Sequence, residues 1–369
     1  MKLSFPAMRG RMGNRDYYVA MVKLSIVPKM FKFRDWAELP PEQRAQRVIT
    51  KNRIPAITKY ILENEDDYLF SSLTASYDCD PEFRALAEGH PDIGVLEVPF
   101  DSDMIINDGQ HRRAAIEEAL REKPHLGEHT ISVVLFPWED LDRMQQMFSD
   151  LNRTARTTSK SLNILYNHRD LVSQITLTLS EKVEAFRGLV DKDRVSLPLR
   201  SPKLFTLGAL HDATAALLGD VTDQSMGQQE ELAIDYWNVV ADNLSEWAKV
   251  KAGDMKPMEL RQEYIHTHAV VLCGLGTMGK SLIENYPDDW AKKLQGLRNV
   301  DWRRTNKEWQ GIAMSGTDVV NRRQSRVDTA AFIKGKLGLE LTPSEKRSLA
   351  SATDVKSVMK DLRRFAGKS

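Results

Sequence analysis

The stretch that most constrains this chain is residues 103–116, Asp-Met-Ile-Ile-Asn-Asp-Gly-Gln-His-Arg-Arg-Ala-Ala-Ile. An apolar run, Met104 to Ile106, breaks at Asn107-Asp108-Gly109, and helix-compatible sequence follows at once. That order predicts a strand, a tight turn and a helix start. Such a turn aims free backbone N–H groups and the positive end of a helix dipole at one point, which suits a phosphate. Gly109 permits close backbone approach, Asp108 is placed to cap the helix, and His111, Arg112 and Arg113 add donors. The alternative is a plain βα turn with an exposed basic first turn. Cationic residues are unfavourable there unless an anion offsets them, which raises the weight of an anion site.

Around this stretch the pattern predicts a mixed α/β N-terminal domain. Strands are expected over 2–8 and 16–27, about a turn at 9–15, and again over 68–70, 94–100 and 130–136. Helices are expected over 42–48 after Pro40-Pro41, from Pro55 with Ile57, Tyr60 and Ile61 on one face, briefly over 81–87, and from Trp138 onward. The helix after Gly109 buries Ala115, Ile116, Ala119 and Leu120 and stops before Pro124. Beyond about residue 165 the chain turns mainly helical, with apolar periodicity over 170–187, 203–218, 229–250 and 258–286. The fold class expected is therefore α+β followed by α, in three domains: 1–165, 166–290 and 291–369. Thr342-Pro-Ser-Glu345 has the form of a capping box at a further helix start.

Charge is balanced overall, 52 basic against 52 acidic residues, but unevenly placed. Residues 291–369 hold 18 Lys and Arg against 8 Asp and Glu. A basic block on a neutral chain points to a polyanion partner, or to docking on the acidic stretch 211–260. No apolar run reaches the ~20 residues that span a bilayer. The N-terminus lacks a signal peptide's apolar core, so a cytoplasmic location without membrane partners is expected. Only Cys79 and Cys273 occur, which excludes a disulfide framework and a four-cysteine metal site. His266 and His268 are too closely spaced for a helix-face metal pair, and no metal site is assigned.

Three constellations carry chemistry. In the first, Asn52 and Arg53, the turn Asp108, Gly109, Gln110, His111, Arg112 and Arg113, and the loop residues Asn152, Arg153 and Lys160 converge on one crevice for a nucleotide's phosphates. In the second, Gly274-Leu-Gly276-Thr-Met-Gly279-Lys280-Ser281 matches a phosphate-loop pattern. Its apolar flanks fit a continuous helix as well as a strand, and no strand with a terminal Asp follows, so the helix is favoured. In the third, the basic tail offers Arg303, Arg304, Lys307, Arg322, Arg323 and Arg326 as DNA phosphate contacts. Trp302 and Trp309, seven apart, are expected to pack one helix face rather than to stack on bases.

Asp108-Gly-Gln-His-Arg112 is a DGQHR signature, and its setting resembles the ParB/sulfiredoxin-type nucleotide-binding superfamily. Together with Phe148-Ser-Asp-Leu-Asn152-Arg153, Lys160-Ser-Leu and Asp301-Trp-Arg-Arg-Thr-Asn306-Lys-Glu-Trp309, it resembles the DndB family of DNA phosphorothioate (sulfur) modification. The resemblance implies a bacterial DNA-binding repressor of its own modification operon. For the superfamily it implies a bound nucleoside triphosphate, ATP or another, with Mg²⁺. The partner expected is double-stranded promoter DNA, and a homodimer would match a palindromic operator. A different class is an ATP-hydrolysing enzyme acting on or regulated by DNA, with Asp108, Gln110 and His111 as catalytic groups. A third is an adaptor of the modification machinery.

Overall fold

In the computed structural model, residues 2–31, 51–153 and 158–352 are described. The chain divides into two units, Met1–Arg156 and Thr157–Ser369.

Among the described residues, the first unit's strands are β1 (Lys2–Met12), β2 (Arg15–Lys23), β3 (Leu73–Asp78), β4 (Glu82–Ala87), β5 (His90–Pro99), β6 (Asp103–Asp108) and β7 (Thr130–Pro137). Buried and more exposed positions alternate along much of β1, β5 and β7, the pattern of a sheet with one covered face. The seven strands form one mixed sheet in the order β4-β5-β1-β2-β7-β3-β6. Only the β3–β7 pair is parallel. The helices of this unit are α1 (Val27–Met30), α2 (Ile54–Glu63), α3 (Gln110–Glu122) and α4 (Leu141–Arg153). Ala115, Ile116 and Ala119 of α3 join Leu73, Ala75, Ile106, Val133 and Leu135 in one core, as the helical spacing required.

Two local expectations fail for physical reasons. Residues 81–87 carry helix formers but run as strand β4, because they pair with the exposed edge of β5 and Phe83 stacks on Tyr18 at 5.6 Å. Tyr68 and Phe70 precede β3 rather than forming a strand; their rings pack on each other at 5.6 Å, and Phe70 also packs on Tyr60. The helix expected over 42–48 lies outside the described residues.

The second unit is helical: α5 (Lys160–Tyr166), α6 (Leu171–Lys182), α7 (Leu207–Leu218), α8 (Met226–Asp242), α9 (Ser245–Ala252), α10 (Pro257–Glu263), α11 (Ala269–Asn285), α12 (Trp290–Lys293) and α13 (Arg323–Lys336). The periodic stretches 229–250 and 258–286 each break into two helices, at Asn243-Leu244 and at 264–268. Its core is continuous from Ile164 to Leu339, so residues on both sides of position 290 share it. The capping box forms: Thr342 Oγ1 accepts from the Glu345 amide at 3.2 Å, and Glu345 Oε2 accepts from the Thr342 amide at 2.7 Å. Among the described residues, no helix is long and apolar enough to cross a membrane.

Candidate functional site

The turn at the end of β6 is built as its sequence implies. Gly109 sits at φ +102°, ψ 19°, a left-handed conformation that side chains other than glycine's rarely adopt. A Cβ at Gly109 would also run into Leu73 Cδ2. Gly109 is the N-cap of α3, and the helix has neither a capping side chain nor an acidic residue in its first turn. Asp108 does not cap it. The Asp108 carboxylate is drawn instead to Arg112 at 2.7 Å.

Arg112 reaches beyond that pair. Its Nη1 donates to the Ser71 carbonyl, to Ser71 Oγ at 2.6 Å and to the Ser72 carbonyl at 3.0 Å. The signature arginine therefore fastens the turn to the segment that enters β3. Arg113 points inward: Nε donates to the Phe31 carbonyl at 3.0 Å, Nη2 to the Pro28 carbonyl at 2.9 Å, and Nη1 to Glu117. Those bonds tie α3 to α1 and place Arg113 in the packing, not on the rim of the turn. Gln110 and His111 remain half-buried in the first turn of α3.

Asn52 and Arg53 enter the same end of the unit. Thr58 of α2 donates to Glu118 of α3 at 3.0 Å, and further along Lys123 donates to the Leu62 carbonyl at 3.0 Å. Contacts that advance together along both helices mean α2 and α3 run parallel. Arg53, exposed, is the N-cap of α2, which also lacks a capping side chain. At α2 the 3₁₀ turn Lys51–Arg53 leads straight into the helix and Pro55 has no N–H, so the amides without helical partners lie chiefly at the start of α3, and a phosphate fits there.

The other walls of the expected crevice are placed differently. The side chains of Asn152 and Arg153, at the end of α4, lie outside the described residues. Lys160 opens α5 in the second unit, where its ammonium pairs with Asp212. Beneath the turn, buried Asn107 Nδ2 donates to Ser76 Oγ at 2.8 Å and contacts Met147 Sδ at 3.2 Å, while its Oδ1 has no partner among the described residues. Sequence reasoning missed Ser71, Ser72 and Ser76. The first two act largely through backbone carbonyls, and none of the three stands in a motif. Among the described residues no cluster of three His, Cys, Asp or Glu side chains could hold a metal.

The phosphate-loop pattern is part of a helix. Gly274 to Ser281 lie inside α11, where the glycines are contact points. A Cβ at Gly276 would meet the Ala213 carbonyl of α7, one at Gly279 the Tyr236 ring of α8, and one at Gly274 would stand 2.7 Å from Thr329 Cγ2 of α13. Of the tail residues, Arg303, Lys307, Arg322 and Arg323 are exposed. Arg304 is tied to the Gln262 carbonyl at 3.3 Å and the Thr317 carbonyl at 2.6 Å. Arg326 is tied to Asn321 at 2.8 Å and Asp212 at 3.2 Å. Trp302 and Trp309 are buried and stacked at 5.5 Å, though not on one helix: they bracket a loop and a short 3₁₀ turn, Lys307–Trp309. Their indole N–H groups donate to the Leu297 and Asp301 carbonyls at 3.0 and 2.9 Å.

No curated protein and no solved structure matches the chain. The family described as DndB, DNA-sulfur modification-associated, matches residues 5–340, which takes in the turn, the α4–α5 segment and the Asp301–Trp309 segment. The chain belongs to that family.

Proposed function

We propose that this chain is a DNA-binding transcriptional repressor of a DNA phosphorothioate (sulfur) modification operon, with a nucleoside-triphosphate site at the β6–α3 turn. Family membership ties it to DNA sulfur modification. The observation that carries the DNA reading is that Arg303, Lys307, Arg322 and Arg323 are exposed and form no ion pair among the described residues. Arg322 and Arg323 stand at the N-terminus of α13, where a cation is favourable only when an anion arrives. Gel-shift titration on the chain's own promoter at two salt concentrations tests it. Preference for promoter over random DNA is expected. Equal affinity for both sinks the repressor claim, because phosphate contacts alone carry no sequence preference.

The uncapped N-terminus of α3 at the glycine turn favours a second reading, nucleotide hydrolysis. Asp108, already paired with Arg112, is the carboxylate at the turn, so Mg²⁺ would rest on it, on water and on the phosphates themselves. Gln110 and His111 are the remaining side chains placed to orient water or contact phosphate. Phosphate release from ATP by the wild type, by Arg53→Ala and by Gln110→Ala tests this. Equal rates in all three would make the turn purely structural.

A further inference from the structure

The second unit contains a cavity of ≈ 460 Å³ at the N-terminus of α11, distinct from the turn in the first unit. Its polar end is formed by Thr267, His268 and the first residues of α11, a helix of 17 residues with no capping side chain. The Val271 amide of its first turn donates to the His268 carbonyl at 2.9 Å, which leaves the Ala269 and Val270 amides without a helical partner, and the helix dipole places positive potential there. Thr267 is 5% exposed, lines the cavity, and its Oγ1 has no hydrogen-bond partner among the described residues. Buried hydroxyls are ordinarily satisfied, so this one points to a group that arrives from outside.

The charge around it is one-sided. Arg261 and Arg304 line the cavity and no Asp or Glu does. Burial, aided by both guanidinium groups, pushes the His268 imidazole down to about 4, so it is neutral at pH 7 and the positive field comes from the arginines and the helix. The rest of the lining mixes the polar Ser196, Thr206, Gln262 and Asn321 with an aliphatic stretch in which Val195 and Leu199 stand 71% and 59% exposed and Met258 also takes part. The lining includes no Phe, Tyr or Trp, so nothing there would stack on a nucleobase.

We propose that this cavity binds a small organic anion, its carboxylate or phosphate head at Thr267 and the α11 N-terminus and its aliphatic body along Val195, Leu199 and Met258. The site is independent of the nucleotide and DNA readings and stands if either fails.

Isothermal titration of the full chain with octyl phosphate, octanoate, 1-octanol and inorganic phosphate tests it. One or both of the amphiphilic anions are expected to bind one per chain, about tenfold or more tighter than octanol and inorganic phosphate. The tighter of the two identifies the head group. Thr267→Val, which keeps the shape and removes the hydroxyl, is expected to weaken binding about tenfold while the melting temperature holds or rises. Val195→Asp, at a largely exposed position, places a carboxylate at the aliphatic wall and is expected to abolish anion binding without unfolding the chain. The proposal is overturned if neither anion binds, if octanol binds as tightly as both, or if the two variants bind like wild type.

Discussion

The Asp108 carboxylate and the Arg112 guanidinium, one helical turn apart, meet at 2.7 Å beside Gly109, and the same guanidinium holds the carbonyls of Ser71 and Ser72. The outer residues of the signature therefore lock the turn, which leaves only the amides and the residues between free of that structural duty. Arg112→Ala strands two carbonyls and a carboxylate, which costs about 2–3 kcal/mol. Arg112→Lys recovers little of it, because one ammonium cannot reproduce a planar fork. Asp108→Asn costs less, about 1 kcal/mol or under, since that carboxylate is half exposed. Scanning calorimetry of the three variants checks the ranking. A larger loss for Asp108→Asn than for Arg112→Ala contradicts the clasp.

The glycines of α11 make an opposite pair of predictions for one motif. Gly276 lets α11 cross α7 against the Ala213 carbonyl, so Gly276→Ala forces the helices apart and costs about 1–3 kcal/mol. Lys280 is spared that role, and Lys280→Ala leaves nucleotide affinity unchanged. In a true phosphate loop the lysine change would remove binding. Nucleotide titration of Lys280→Ala and urea unfolding of Gly276→Ala together separate the two.

What was readable in the residues is what depends on near neighbours. The strand, glycine turn and helix at 103–122 follow from a change of apolar period at a turn dipeptide, and the Thr342–Glu345 capping box follows from a three-residue spacing. What was hidden depends on distant partners. Arg112 is held by carbonyls some 40 positions away, and Arg113 by carbonyls more than 80 away. A backbone carbonyl has no letter in a sequence, so both arginines read as phosphate donors. Strand β4 was hidden for the same reason: Glu82, Arg84 and Ala85 favour a helix locally, and only the edge of β5 makes them a strand. The α11 glycines show the converse, a familiar spacing serving helix contact.

Arg322 and Arg323 yield a salt prediction. If they neutralise DNA phosphates, Arg322→Ala and Arg323→Ala each weaken binding to promoter and random DNA alike and reduce the slope of log K against log salt by about 1. Arg326→Ala behaves differently, because its guanidinium is engaged by Asn321 and Asp212: it lowers stability and leaves the slope unchanged. Fluorescence anisotropy across a salt series reads both. An unchanged slope for Arg322→Ala and Arg323→Ala removes them from the interface.

Acid weakens the second unit through His268. Burial holds its folded value near 4, well below the 6.5 of an exposed imidazole, while the Arg261 carbonyl accepting from its ring at 3.0 Å keeps it in place. An unfolded chain takes up the proton as pH falls through 6.5, but the folded chain refuses it until about 4. Stability from this residue is therefore complete above 6.5, declines between 6.5 and 4, and is lost below, a change of about 3 kcal/mol. Glu246 behaves in the same direction lower down: the imidazole of buried His266, 3.5 Å away, holds it at about 2, so its contribution fades as pH falls below the ordinary carboxylate value. Urea unfolding at pH 7.5, 6, 5 and 4 on wild type and His268→Gln checks this. Wild type loses stability steadily across that window, and the variant, with nothing to protonate there, follows a shallower slope. Parallel curves would show that His268 is not the group that the folded chain keeps neutral.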